Sequence, residues 1–115
     1  MEERVLISFL LDYYSVLLTD KQQEIMKMYY NEDFSLGEIA ELSNTSRQAI
    51  HDVIKRCHKL LLEYEDKLKL KYKDDLLNEN KNKVISKLEI LKGYISDTEI
   101  TTKIEEVKKD IIQSL

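Results

Sequence analysis

Residues 35–53 read SLGEIAELSNTSRQAIHDV, and their pattern indicates the fold class. Ser35 and Glu38 have the spacing of a capping box, in which each side chain bonds the other residue's backbone N–H, so a helix is predicted to begin here. Asn44 follows within a polar run, and asparagine tolerates the left-handed conformation that ends a helix and reverses the chain. Ser46 is placed to cap a second helix. The stretch therefore predicts two helices joined by a tight turn.

The apolar residues of these two helices fit a helix-turn-helix. On the first helix, four residues are predicted to face inward: Leu36, Ile39, Ala40 and Leu42. The small size of Ala40 matters because a larger side chain would push the two helices apart. Ile50 and Val53 are predicted to seat the second helix on the first. In this motif the N-terminal residues of the second helix reach base edges in the major groove.

Seven residues around the start of the second helix are candidates for binding nucleic acid. The candidates for base contacts are Arg47, Gln48 and His51, since arginine bonds guanine and glutamine bonds adenine in bidentate fashion. The candidates for phosphate contacts are Ser46, Lys55, Arg56 and Lys59. A helical hairpin with a solvated basic face and no nucleic-acid function has the same pattern, so that alternative stays open.

Helical periodicity continues on both sides of this motif. One helical face of apolar residues predicts the inner side of a first helix: Val5, Leu6, Phe9, Leu10, Tyr13 and Leu17. Thr19 with Gln22 forms another capping box before a second helix. Downstream, no helix-breaking residue interrupts positions 46–75, which predict one helix of roughly 45 Å. A polar loop is expected at 78–82, followed by two further apolar stripes that end near the C-terminus.

These patterns predict an all-α protein with two parts. Residues 1–62 are predicted to form the helix-turn-helix unit, and residues 63–115 a C-terminal helical extension that the long exit helix enters. The extension offers a face for a partner or for dimerisation.

Composition excludes several other classes of protein. The 115 residues include two glycines and no proline, too few for a turn-rich β-architecture. No apolar run is long enough to cross a membrane, no signal peptide is visible, and one cysteine forms no internal disulfide, so a cytoplasmic protein is expected. The sequence shows neither a glycine-rich phosphate loop nor a nucleophile paired with a base, so an enzyme is not predicted. No cofactor is predicted either. His51, Cys57 and His58 lack the spacing of metal ligands, so no metal site is predicted.

Several motifs between residues 18 and 59 resemble a known family. The segment LTDKQQEIMKMYYNEDFSLGEIAELSNTSRQAIHDVIKRCHK is similar to the helix-turn-helix of region 4 of bacterial sigma factors, and more closely to the YlxM family of small helical proteins. The family shares the LT..Q opening, the double tyrosine, the SL.EIAE helix and the SRQA cap, and the likeness covers about residues 8–72. Ser43, Asn44 and Thr45 depart from it, because family members usually carry a glycine between two apolar residues there.

The resemblance implies a DNA-binding regulatory protein associated with the signal recognition particle (SRP) protein-targeting pathway. Charge leaves a second hypothesis open, a protein-interaction or RNA-binding module that acts on an SRP component. Residues 1–45 hold three basic and nine acidic side chains, which favours the second hypothesis, whereas the net charge of +3 on residues 46–59 favours duplex DNA. A patch interrupted by Asp52 and Glu41 would also favour protein docking.

The long helix and the C-terminal stripes predict a homodimer. Apolar residues between positions 60 and 72 extend past the helix-turn-helix unit, and exposed stripes of that length are usually covered. Two-fold pairing would cover them and would place two recognition helices side by side. The alternative is that the C-terminal helices fold back on the long helix.

Overall fold

The computed structural model describes residues 2–114, which form six α-helices and one short 3-10 helix. In chain order these are α1 (Glu3–Tyr14), the 3-10 helix (Ser15–Leu17), α2 (Asp20–Tyr30), α3 (Leu36–Leu42), α4 (Arg47–Leu68), α5 (Leu70–Gly93) and α6 (Thr98–Gln113). The predicted all-α helix-turn-helix fold is confirmed. Among the residues described, none of the helices combines the length and apolar character needed to cross a bilayer. The chain divides into two compact units after Tyr72.

The first unit has one hydrophobic core, built from α1 to α4. Its buried residues are Ile7, Leu10, Leu11, Tyr14, Leu18, Ile25, Met26, Met28, Ile39, Ala40, Ile50, Ile54, Cys57 and Leu61. The predicted inner face of α1 is correct at Leu10, which is buried, and wrong at Val5 and Phe9, which are exposed, because the buried face is turned by about one residue. On α4, Ile54 is buried and Val53 lies at the edge of the core, since Ile50 and Ile54 share one face at a four-residue step.

The predicted helix starts are confirmed by their caps. The Thr19 hydroxyl accepts the Gln22 N–H at 3.2 Å, and the Gln22 side chain accepts the Thr19 N–H at 2.9 Å. Ser35 and Glu38 exchange the same two bonds at 3.1 and 3.0 Å, and the backbone N–H of Ser35 is the main cause that lowers the pKa of Glu38. The Ser46 hydroxyl accepts a backbone N–H of α4 at 3.1 Å. Each cap satisfies donors that the first helical turn leaves unpaired.

The turn between α3 and α4 has the conformation that the sequence predicted. Asn44 has a φ of 56°, in the left-handed region. The N–H of Thr45 donates to the carbonyl of Ala40 at 3.0 Å, which closes the end of α3. The reversal therefore needs no glycine, because asparagine occupies this conformation at a small cost.

Asn44→Gly is expected to leave the free energy of unfolding unchanged or to raise it by up to about 1 kcal/mol, because glycine adopts a positive φ without steric cost. Urea denaturation of both proteins measures the difference. Asn31→Gly is the comparison, since Asn31 ends α2 with a φ of −103°; it should lose stability both from backbone entropy and from loss of the hydrogen bond that the Ser8 hydroxyl donates to its side chain at 3.0 Å. A clear loss for Asn44→Gly would contradict the turn as described.

The predicted continuous helix over 46–75 is wrong, because it breaks at Lys69, which has a φ of 56°. Tyr14 and Glu65 stabilise this break through hydrogen bonds. The Tyr14 hydroxyl donates to a Glu65 carboxylate oxygen at 2.6 Å and accepts the Leu70 N–H at 3.0 Å. The same carboxylate accepts the next two backbone N–H groups of α5, at 3.1 and 3.0 Å. Glu65 therefore caps α5, and a negative charge at a helix N-terminus is favourable.

The loop expected at residues 78–82 is also wrong, since α5 runs through it. Glutamate and lysine are good helix formers, and the segment contains neither glycine nor proline, so polarity alone does not end the helix.

The second unit is a hairpin in which α6 runs antiparallel to the end of α5. Lys92 pairs with Glu105 at 2.6 Å, and Lys108 pairs with Glu89. None of the described residues in this unit is fully buried. Its exposed apolar residues include Val84, Ile90, Leu91, Ile100, Val107 and Ile112. A two-helix hairpin alone therefore leaves an apolar surface in contact with water.

Candidate nucleic-acid interface

The orientation of α4 follows from its buried face. Ile50, Ile54, Cys57 and Leu61 recur at steps of four and three residues, so they form one stripe against the core. The opposite side of the helix is exposed from its first turn onward. This exposed side carries most of the residues that the sequence predicted to meet nucleic acid.

Three predicted residues lie together on the exposed face of α4. Gln48, Lys55 and Lys59 are separated by seven and four residues, which places them within about one-eighth of a turn of each other around the helix. All three are exposed. On this exposed face the two lysines can contact a phosphate backbone, and the glutamine lies beside them.

Asp52 lies in the middle of this face and interacts with the polar side chains next to it. The side-chain amide of Gln48 donates to a carboxylate oxygen of Asp52 at 2.9 Å. The Nδ1 atom of His51 is 3.7 Å from the same oxygen. Two of the three candidates for base contacts are therefore next to a carboxylate that repels phosphate, and Gln48 must give up a hydrogen bond to reach a base.

Arg47 and Arg56 lie on opposite flanks of α4. They are nine residues apart, which is about half a turn around the helix axis. Arg47 lies back over α3, where a Cβ atom added to Gly37 would be 3.2 Å from its Nε atom. The absence of a side chain at Gly37 makes room for this guanidinium. The structure therefore does not bring the two arginines into one patch.

Ser46 is exposed at the N-terminus of α4, where its hydroxyl oxygen accepts a backbone N–H. The hydroxyl keeps its own hydrogen for donation to a phosphate oxygen. No acidic residue lies in the first turn of α4, so the partial positive charge of this helix end is not neutralised there. The start of α4 therefore has the physical character of an anion-binding end.

Two further titratable residues of α4, Cys57 and His58, face other parts of the first unit. His58 is half-buried, and its Nε2 atom is 2.9 Å from a Glu3 carboxylate oxygen. Cys57 is fully buried, and burial raises the pKa of its thiol. Across residues 2–114, no three His, Cys, Asp or Glu side chains come together in a group that could hold a metal ion.

One cluster in the first unit was not predicted from the sequence. The Arg4 guanidinium lies over the rings of Tyr29 and Tyr30, at 4.8 and 5.2 Å from their centroids, and it pairs with Asp33 at 3.1 Å. The residues come from two helices and a turn, so no local spacing indicates the cluster. The position of Arg47 beside Gly37 was also not predictable from the sequence, because a glycine in a short helix indicates only a low helix propensity.

Comparison with known proteins identifies close relatives. A family profile described as "UPF0122: Putative helix-turn-helix protein, YlxM / p13 like" matches residues 1–100 of this chain. The chain is 53% identical over 111 residues to a UPF0122 protein of Clostridium acetobutylicum, which is 96% of each chain. It is 48% identical over 113 residues to one of Clostridium novyi, 98% of each chain. A third, of Clostridium botulinum, is 66% identical over 70 residues, 61% of this chain and 64% of that relative.

Proposed function

Because the chain belongs to the UPF0122 family of helix-turn-helix proteins, as its resemblance to the YlxM family predicted, we propose that it is a regulatory protein that binds duplex DNA through the exposed face of α4. The main support for the proposal is that Gln48, Lys55 and Lys59 lie together on that face. The N-terminus of the same helix has no acidic residue in its first turn. The two lysines contact phosphates, and Gln48 contacts base edges once it releases Asp52.

The proposed DNA contact is weak and salt-sensitive. Few basic side chains share the exposed face, and each phosphate contact contributes about −0.9 to the slope of log affinity against log salt. Two contacts, one at each lysine, would therefore lower the affinity about 12-fold between 50 and 200 mM salt. Arg47 and His51 flank the exposed face, and their proposed role is in the preference for one sequence over another.

The proposal places the protein in the cytoplasm and in the SRP pathway. The resemblance to the YlxM family supports that assignment. We also propose that two copies pair through the second unit, because pairing would remove its exposed apolar residues from water. Light scattering at micromolar concentration measures this pairing, and the mass of one chain across the whole range would exclude it.

A second candidate function is binding to an RNA or protein component of the SRP. Asp52 favours the protein component within this candidate, because its carboxylate interrupts the basic face that the phosphates of DNA or RNA would meet. The acidic balance of residues 1–45 favours it as well. The two candidates differ in the ligand that the α4 face should select.

The test is a titration of labelled duplex DNA and labelled structured RNA with the full chain at several salt concentrations. Lys55→Ala and Lys59→Ala should each weaken binding to all duplexes alike and reduce the salt slope by about 1. Arg47→Ala should weaken the preference among duplexes. Asp52→Asn should strengthen binding severalfold, because it removes the charge and keeps an oxygen for Gln48.

Lys21→Ala is the matched control, since Lys21 is an exposed lysine on α2 and not on α4, and its loss should leave binding unchanged. No binding to duplex DNA at micromolar protein and low salt would overturn the DNA proposal. Binding to structured RNA alone, with the same dependence on Lys55 and Lys59, would favour the second candidate.

A further inference from the structure

The outer side of α3 carries an open groove that the nucleic-acid proposal does not use. The groove has a volume of about 300 Å³ and is lined by Phe34, Glu38, Glu41 and Leu42. We refer to these four residues as the α3 groove. Leu42 was predicted to face inward, but 67% of its surface is exposed, because Ile39 and Ala40 already fill the inner face of this short helix. Phe34 is half-buried at the edge of the core.

The α3 groove combines two apolar side chains with two carboxylates. Between residues 28 and 46 the chain carries four carboxylates and no lysine, arginine or histidine. The carboxylates belong to Glu32, Asp33, Glu38 and Glu41, and all four residues are exposed. Arg4 pairs with Asp33, and Arg47 lies beside Gly37; neither arginine is among the residues that line the groove. A phosphate backbone would be repelled here.

We propose that the α3 groove binds a basic amphipathic segment of a different protein. An apolar side chain of that segment packs on Leu42 and Phe34, and lysine or arginine side chains on either side of it meet Glu38 and Glu41. Complementary charge favours this occupant over nucleic acid, and the exposed leucine supplies the apolar anchor that a carboxylate cluster alone lacks. The proposal goes beyond DNA binding, because the α3 groove and the exposed face of α4 use different residues and charges of opposite sign.

A second copy of this chain is the less favoured occupant. The chain has two lysine-rich segments, at residues 67–73 and 81–92, and both already make contacts within their own units. In the first, Lys71 lies over the ring of Phe9 at 5.6 Å, and its backbone N–H donates to Glu65. In the second, Lys83 pairs with Glu79 and Lys92 pairs with Glu105. A segment from another protein has no such prior contacts.

The probe for this proposal is a fluorescein-labelled 18-residue peptide with leucine on one helical face and lysine on the other. Anisotropy titrations with the full chain should give saturable binding at low salt. The same peptide with glutamate in place of lysine should not bind, and a peptide with the same composition in scrambled order should bind at least tenfold more weakly.

Two substitutions test the groove itself. Leu42→Ser and Glu41→Gln should each weaken binding of the lysine–leucine peptide about tenfold, as expected for residues central to a contact. The matched controls are Val16→Ser, at an apolar residue that is 80% exposed, and Glu24→Gln, at an exposed acid on α2. Both controls should change the affinity less than twofold. Urea denaturation of all four variants separates a loss of binding from a loss of folding.

Amide chemical-shift mapping locates the peptide and decides the proposal. Shifts concentrated at residues 34–42, together with the losses above, support it. Shifts spread over all acidic surfaces, or equal effects of variants and controls, overturn it. A change in sedimentation of the free chain on Leu42→Ser would assign the groove to a second copy and overturn it too. Duplex DNA binding should survive Leu42→Ser, so failure here is distinct from failure of the DNA proposal.

Discussion

Replacement of Tyr14 by phenylalanine is expected to lower the free energy of unfolding by about 1–3 kcal/mol. Tyr14 is completely buried, and its hydroxyl both donates to Glu65 and accepts the N–H of Leu70. Phenylalanine keeps the ring and removes both hydrogen bonds, so polar groups at the α4–α5 break lose a partner. Tyr14→Ala also removes the ring and is expected to cost about 3–5 kcal/mol.

Urea denaturation followed by circular dichroism measures these losses. Tyr94→Phe is the matched control, because Tyr94 is 84% exposed and its hydroxyl can bond water in either state. The control should leave the free energy of unfolding within about 0.5 kcal/mol of the parent value. Equal stability of Tyr14→Phe and the control would show that the bonds at the break contribute nothing.

The same residue should make the protein sensitive to alkali. Burial, and then the hydrogen bond to Glu65, raise the pKa of Tyr14 above its ordinary value of 10.0. The folded state therefore holds the phenol proton more tightly than the unfolded state does. Its contribution to stability is complete below pH 10 and is lost as the pH rises from there toward the folded-state pKa. Tyr14→Phe should lose less stability than the parent protein over that alkaline range.

Ile50→Ala is expected to lower the free energy of unfolding by about 2–5 kcal/mol. Ile50 is 1% exposed in the core near the start of α4, and truncation removes buried methyl groups and leaves a cavity. Leu62→Ala is the matched control on the same helix, since Leu62 is 39% exposed and should cost well under half as much. Similar losses for the two variants would contradict the orientation of α4 and, with it, the exposed face that carries the proposed DNA contact.

The elements that the sequence predicted correctly depend on bonds between neighbours in the chain. The capping boxes at Thr19 and Ser35 and the cap at Ser46 form between residues three apart, so the pattern of residue types is enough to locate them. Asn44 reverses the chain because of its own backbone preference. The helix-turn-helix follows from these local features and from the apolar step that buries Ile50.

The candidate site was predictable only in part, for the same reason. Helical periodicity places Gln48, Lys55 and Lys59 on one face. The hydrogen bond from Gln48 to Asp52 was not predicted, although the two residues are four apart on one helix. The position of Arg47 depends on Gly37 in another helix, and the exposure of Leu42 depends on which residues fill the inner side of α3. No spacing within α4 or α3 carries that information.

Local sequence accounts for where the helices of the first unit begin and for the turn at Asn44, because capping and backbone preference act over three or four residues. Long-range packing decides the break at Lys69. There the chain forms a left-handed residue that its own sequence does not favour, because the Tyr14 hydroxyl, 51 residues before Glu65, joins that carboxylate in binding the first N–H groups of α5. Hydrogen bonds from a distant buried tyrosine outweigh the local preference of residues 46–75 to continue as one helix.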